Sequence, residues 1–300
     1  KYLVKLKHQV EELTEKINSE SGESNQGASN QILELNTQIT EKVNYFTDEE
    51  FKIERILLLL GFYANDEIIE KPVISPEEFK QRYDEGERDF SGLNLAGINL
   101  SNTNLSGVNF TDTDLQQANL SSADLTNCDF SDANLTNVNL SKANLQKAKL
   151  IETNLSGANL SKASLIGANL TAANISKANL KEADLQANLT AADLSDANVK
   201  RAIFGRVNLS GAILKRTNLV GVTLRTNLSG VDLSEAKLCG ATLSVSNLNE
   251  ANLSLADLRG VKFIQANLEK ANFKGANLGG AIFDQAKLTG AIMPDGTIHE

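Results

Sequence analysis

A five-residue pattern of apolar and polar positions runs from Phe90 to Met293. A large apolar residue, usually Leu, forms the centre of each unit. The residue two positions before it is small and apolar, most often Ala, and the other three are polar. This period matches neither the 3.6 residues of an α-helix nor the 2 of a β-strand. Because both apolar positions of every unit must reach one shared interior, the pattern predicts a square coil with four units per turn.

The centres number 42 and fall into three blocks of continuous register, ending at Leu185, Leu224 and Met293. Four units per coil then give about ten coils. The two four-residue steps, Leu185 to Leu189 and Leu224 to Leu228, are eight units apart, which places them at one corner, two coils apart. We expect each step to tighten that edge. A docking feature and a tolerated irregularity are both open interpretations.

Phenylalanine centres test the four-unit coil. Phe90, Phe110 and Phe130 are one coil apart and are predicted to stack on one face near the start of the repeats. Phe204, Phe263 and Phe283 are predicted to share another face when the units are counted through the two steps.

The first 86 residues follow a different pattern. Apolar residues spaced three and four apart predict two helices, within 3–17 and 32–46, joined by a polar loop. Thr47-Asp48-Glu49-Glu50 and Ser75-Pro76-Glu77-Glu78 are typical helix starts, the first for a helix through Leu60 and the second for a short helix to about Tyr83. We therefore divide the chain into an α-helical N-terminal region, 1–86, with a helical hairpin or coiled coil plus capping helices, and a repeat body, 87–300.

The phrase Ala133-Asn134-Leu135-Thr136-Asn137, and its recurrence at Ala158-Asn159-Leu160-Ser161-Lys162, resembles the pentapeptide-repeat family. That resemblance covers about residues 88–295 and implies a mainly β fold, the right-handed quadrilateral β-helix of a pentapeptide-repeat solenoid. The phrases Gly86-Glu87-Arg88-Asp89-Phe90-Ser91-Gly92 and Met293-Pro294-Asp295-Gly296-Thr297-Ile298-His299 also resemble cyanobacterial members.

Sorting the outward residue before each centre by face gives the repeat body distinguishable sides. Two of these sides are candidate protein-binding faces. The asparagine face carries a ladder whose amides could bond along the stack, and the β-branched face suits either a flat sheet surface or a partner. The asparagine face comprises Asn169, Asn188, Asn208, Asn227, Asn247 and Asn267, and the β-branched face comprises Ile203, Thr223, Thr242, Lys262 and Ile282.

Charge narrows the possible partners. The net charge is −9, but residues 1–86 hold 18 acidic and 10 basic residues, whereas 87–300 hold 20 and 19. The repeat body is therefore nearly neutral and lacks the basic stripe that direct nucleic-acid binding requires. No apolar run reaches the length of a membrane span. Cys128 and Cys239 do not look like a disulfide pair, which favours a reducing compartment and a cytoplasmic location.

Catalytic constellations are missing from the sequence. His8 and His299 are the only histidines and lie near the two ends, which disfavours triads, His metal sites and most general-base schemes. We expect no enzyme activity, no cofactor and no metal. The sequence favours a non-enzymatic protein–protein interaction or scaffold module whose protein partner is unidentified, with a possible homodimer through the helical region or the solenoid ends. The alternative, taken from the family resemblance, is a DNA-mimicking binder or inhibitor of a type II topoisomerase such as DNA gyrase.

Overall fold

The structure is a computed structural model, and it describes residues 71–300. The helices predicted within 3–60, and with them the helical hairpin or coiled coil, lie outside the described residues. No helix in the described part is long and apolar enough to cross a membrane.

The repeat body is a square β-helix. Its parallel pairing joins the residue before one centre to the residue 20 positions later, as in Asn119 to Asn139, so one coil contains four units. Across a four-residue step the spacing falls to 19, as in Asn169 to Asn188. Each strand in residues 71–300 is a single bridging residue flanked by turns, because the chain turns a corner after every centre.

The interior is built from the two apolar positions of each unit. Leu centres such as Leu135 and Leu160, and the small residues two before them, such as Ala133 and Ala158, are at most 1% exposed. Full burial of one Leu side chain contributes about 1.5 to 3 kcal/mol of transfer free energy. Since every coil repeats the same contacts, the core runs along the rod as one column.

Phenylalanines stack inside this column as predicted. The ring of Phe110 lies 6.3 Å from Phe90 and 5.1 Å from Phe130, centroid to centroid. At the other end Phe263 stacks on Phe283 at 5.1 Å, and Phe273 from the opposite face meets both edge-on. The stacking of Phe90, Phe110 and Phe130, and of Phe263 and Phe283, confirms the four-unit coil.

Corners are closed by a left-handed residue two positions after the centre, such as Asn137 with φ 55° and Gly157 with φ 70°. Asn and Asp before the centre stabilise the same corner, because their side-chain oxygen accepts the N–H of the residue after the centre. Thr136 N–H donates to Asn134 Oδ1 at 3.2 Å in this way. The polar positions of the repeat therefore form the turns and the apolar positions form the core.

Helix α1, Pro76–Asp84, covers the first coil. Its N-terminus is capped by Ser75, whose hydroxyl oxygen accepts a hydrogen bond from the Glu78 N–H at 3.1 Å. Phe79 is 2% exposed and its ring lies 4.3 Å from that of Phe90. Val73, just before the helix, pairs with Asn94, so the segment is attached to the coil by backbone as well as by side chains.

The last coil is closed by a short antiparallel return. Ile298 pairs with Ile292, and His299 donates its N–H to Ala291 O at 2.8 Å. This return gives the final coil a backbone partner that its parallel stacking direction no longer provides.

Candidate interaction site

The pairing pattern places each candidate face on one side of the rod. The asparagine face is continuous: bridges join each of its residues to the next, from Asn169 to Asn267. On the β-branched face, Thr223, Thr242, Lys262 and Ile282 are joined in the same way, and Ile203 pairs with Asp184. No bridge joins Ile203 to Thr223 in the described chain. That a partner binds either face stays a prediction.

Side chains of the asparagine face mainly close turns. Asn188 Oδ1 accepts from the N–H of Thr190 at 3.2 Å. Amides also link some coils: Asn188 Nδ2 donates to Asn169 Oδ1 at 3.2 Å. Asn208 Nδ2 instead donates to Thr190 Oγ1 at 2.9 Å. This face is therefore occupied with internal hydrogen bonds.

A more regular asparagine ladder lies on a third side, and the sequence analysis did not single it out. Each Nδ2 donates to the Oδ1 of the preceding coil at 3.1 to 3.3 Å. The ladder ends where the next pairing, from Asn198 to Asn218, is not formed in residues 71–300. Its members are Asn119, Asn139, Asn159, Asn179 and Asn198.

Exposed apolar side chains concentrate on the β-branched face. Ile203 is 53% exposed and Ile282 is 37% exposed. Ile166, Val220 and Val245, which are also exposed, occupy the two corners that border this face. These side chains are spread along one side of the rod, and exposed apolar surface on one side is a feature of protein-binding surfaces.

The ladder of backbone hydrogen bonds between coils is interrupted on two consecutive sides of the rod. The interruption lies between residues 197–206 of one coil and 218–225 of the next. Elsewhere a centre donates its N–H to the next coil, as Leu180 does to Asn198 O at 2.8 Å. The corresponding bonds from Val199 to Asn218 and from Phe204 to Thr223 are not formed among the described residues. We call this gap the opening. The inward side chains of Ala202 and Val222, at positions almost fully buried in most coils, are partly exposed there.

The two four-residue steps flank the opening. The five-residue turn after Phe204 stacks between the four-residue turns that follow Leu185 and Leu224. The first step does tighten the corner, since Ala187 N–H donates to Leu185 O, only two residues back, at 2.7 Å. The turn between the two steps is one residue longer than the turn stacked on either side of it. Arg206, unlike Arg201 with φ 61°, does not take the left-handed conformation.

The opening has a volume of about 910 Å³ and is open to solvent. Its lining has no carboxylate, and its charged side chains are all basic. Arg201 Nη1 is 3.9 Å from Glu182 Oε1, while Lys200 and Arg225 form no ion pair within residues 71–300. Its lining includes Lys200, Arg225, Ala202, Val222, Val199 and Phe204.

Neither cysteine forms a disulfide, and no group of three or more His, Cys, Asp or Glu within 71–300 is arranged to hold a metal ion. Cys128 is fully buried at an inward position, where its Sγ lies 3.0 Å from Leu105 O. Burial raises the pKa of this thiol to about 12. Cys239 is partly exposed at an outward position.

Iodoacetamide at about pH 8 is expected to alkylate Cys239 and to spare Cys128 in the folded protein, because the thiolate is the reactive form and must be accessible. Peptide mass spectrometry before and after denaturation measures both sites. Equal native labelling of Cys128 and Cys239 would contradict the burial described above.

Five-residue units stacked four to a coil define the class of repeat β-helices. The family of pentapeptide repeats matches the chain in 8 copies, over residues 89–121, 118–157, 148–186, 187–225, 226–263 and 256–293. The chain belongs to the pentapeptide-repeat family. Proteins of this family fold as right-handed quadrilateral β-helices.

Several solved structures are similar. HetL from the cyanobacterium Nostoc sp. strain PCC 7120, described as involved in heterocyst differentiation regulation, is 38% identical over 74% of this chain and 98% of its own, with a TM-score of 0.33. Rfr23 from the cyanobacterium Cyanothece 51142 is 30% identical over 44% and 98%, with a TM-score of 0.32. QnrB1, a plasmid-mediated fluoroquinolone resistance protein, is 22% identical over 65% and 91%, with a TM-score of 0.43. No curated protein sequence matches. The likeness to cyanobacterial members is confirmed.

Proposed function

We propose that this protein is a non-enzymatic interaction module: a rod of about ten coils, in a reducing, cytoplasmic compartment, that presents the β-branched face to a protein partner. The observation that supports it most is the concentration of exposed apolar side chains on that face and its two corners. Five of them, Ile166, Ile203, Val220, Val245 and Ile282, lie there, while the asparagine face is occupied with internal hydrogen bonds.

A rigid repeat rod suits this role. Stacked coils present an extended surface whose side chains are already ordered, so a partner loses less conformational freedom on binding. The predicted helical region, 1–86, supplies a second route to a partner or to a homodimer, as do the two ends of the solenoid.

The alternative, imitation of duplex DNA toward a type II topoisomerase such as DNA gyrase, requires rows of acidic side chains. The columns of outward residues instead combine acidic and basic side chains: Lys149 pairs with Asp129, and Lys237 pairs with Asp257. The charged residues that line the opening are all basic. A gyrase supercoiling assay in which the protein inhibits at micromolar concentration would favour the alternative.

The test of the proposed function removes apolar contact from the β-branched face. The full chain is used as bait in quantitative affinity capture from cells of its source, beside a double variant, Ile203→Gln with Ile282→Gln. We expect the double variant to lose its specific partners by about tenfold, the effect of removing a binding hot spot of about 1.4 kcal/mol.

Ile213→Gln is the matched control, because Ile213 is 38% exposed, close to the 37% of Ile282, on a different side of the rod. Partners that bind the control and the wild type equally, and are lost from the double variant, support the proposal. Equal capture by all three proteins would refute it.

A further inference from the structure

We propose that the opening is a docking site for an extended acidic peptide segment of a partner protein, which adds a strand between the two separated coils. The inference rests on the proposed function, since it names the chemistry of the partner and the place where it binds on the β-branched face. Three observations carry it: unpaired backbone edges, apolar walls, and a rim of a single charge.

Two unpaired strand edges border the opening. We call the edge formed by residues 197–206 the first lip and the edge formed by residues 218–225 the second lip. Four backbone N–H groups at these edges have no hydrogen-bond partner within the described chain. Those of Val199 and Phe204 lie on the first lip, and those of Asn218 and Thr223 lie on the second. The carbonyls of Ala197 and Ala202 lack the N–H donors that equivalent carbonyls receive in paired coils. Such edges attract another extended chain. Because the chain turns a corner between Val199 and Phe204, an extended strand pairs with one side of the rod, and on the β-branched face it would bond Phe204 and Thr223.

The walls set a side-chain pattern for the added strand. Ala202 and Val222 point inward and are partly exposed, so an apolar side chain of the peptide would cover them. Successive side chains of a strand point to opposite faces. The alternate side chains of the peptide would therefore point outward, toward the rim.

The charged residues at the edge of the opening, which we call the rim, favour an acidic peptide. Lys200 and Arg225 are exposed, stand at the two corners that border the β-branched face, and form no ion pair among residues 71–300. No carboxylate lines the opening. A peptide of alternating apolar and acidic residues thus satisfies the backbone, the walls and the rim together.

The probe is a fluorescein-labelled, N-acetylated hexapeptide, Val-Glu-Val-Glu-Val-Glu, and its binding to the full chain is measured by fluorescence anisotropy. Two matched probes accompany it. One replaces each Glu by Lys, and the other is N-methylated at alternate residues, which removes the backbone donors along one edge. We expect saturable binding of the first probe and at least about tenfold weaker binding of both others.

Charge reversal at the rim tests the location. Lys200→Glu with Arg225→Glu is expected to weaken the acidic probe at least about tenfold. Lys142→Glu with Lys147→Glu is the control, because these exposed residues occupy the same two corners in coils whose ladder is paired, and it is expected to bind like the wild type. Circular dichroism checks that both variants keep the wild-type fold.

Each other outcome overturns the inference. No saturable binding means that the opening accepts no such strand, and equal binding of the N-methylated probe means that charge alone is recognised. Equal loss in the control variant places the site elsewhere. A dimer in size-exclusion chromatography with light scattering that the probe does not dissociate would assign the opening to a second copy. If the hexapeptide fails while Ile203→Gln with Ile282→Gln still loses its partners, the proposed function stands and only this inference falls.

Discussion

Replacement of Phe110 by Ala is expected to lower the free energy of unfolding by about 3 to 5 kcal/mol. Phe110 is fully buried, and its ring is stacked between those of Phe90 and Phe130 and lies 6.4 Å from that of Phe79. Its removal leaves a cavity flanked by rings that cannot collapse, because each is held by its own coil. Guanidinium denaturation followed by far-UV circular dichroism measures the loss.

Phe110→Leu is the matched variant, since Leu is the usual centre and fills most of the same space. Its cost is expected to stay below about 1.5 kcal/mol. A loss for Phe110→Ala no larger than that of the Leu variant would show that the stacked rings do not support one another. Both variants remain far from the opening, so the hexapeptide probe serves as a check that the rod is intact.

Replacement of Phe79 by Ala is expected to release helix α1 from the first coil, at a cost of about 3 to 5 kcal/mol for that region. Phe79 is the buried residue of this helix. The remaining attachments are smaller: Ile74 before the helix is buried, Tyr83 Oη donates to Asn104 O at 2.7 Å, and Arg82 Nη2 donates to Glu87 Oε1 at 2.5 Å. Hydrogen exchange followed by mass spectrometry is expected to show faster exchange in residues 90–110.

The Phe79→Ala protein is also expected to self-associate through its first coil, because Phe90 would be uncovered and the coil would present an unpaired apolar edge. Lys80→Ala is the control: Lys80 lies on the same helix, is exposed and, within residues 71–300, forms its ion pair with Asp84, so its effect is expected to be within about 0.5 kcal/mol. A Phe79→Ala protein that stays monomeric with unchanged exchange would refute a capping role for α1.

Much of the fold follows from the sequence because the five-residue unit specifies its own packing. Leu135 and Ala133 are apolar and buried, Asn134 closes the corner, and the repeat of this unit determines the register of the next coil. The stacking of Phe110 on Phe130 could be counted from their spacing of one coil. Ser75 and Pro76 likewise indicated where α1 begins.

The opening could not be predicted in the same way. Both four-residue steps are visible in the sequence and fall at one corner, two coils apart, but nothing in the five-residue turn after Phe204, which stacks between them, indicates that the ladder opens there. At that turn Arg206 does not take the left-handed conformation that closes most other corners. Sequence pattern also does not show that Phe79 packs against Phe90 or that Ile298 folds back on Ile292, because both contacts join a repeat to a segment outside the repeats.

The spacing of the coils has a consequence for how the rod folds. Among the described residues, each parallel bridge between repeat units joins residues 20 apart, or 19 across a step, so these contacts are local for a β protein, at about 0.07 of the chain length. Growth can begin in any coil and spread to the next, because each coil stabilises only its neighbours. At the opening, two of the four sides of the coil lack the backbone hydrogen bonds through which folding would spread to the next coil. We therefore expect the rod to behave as two cooperative blocks, and we expect partial unfolding to begin at the boundary between them.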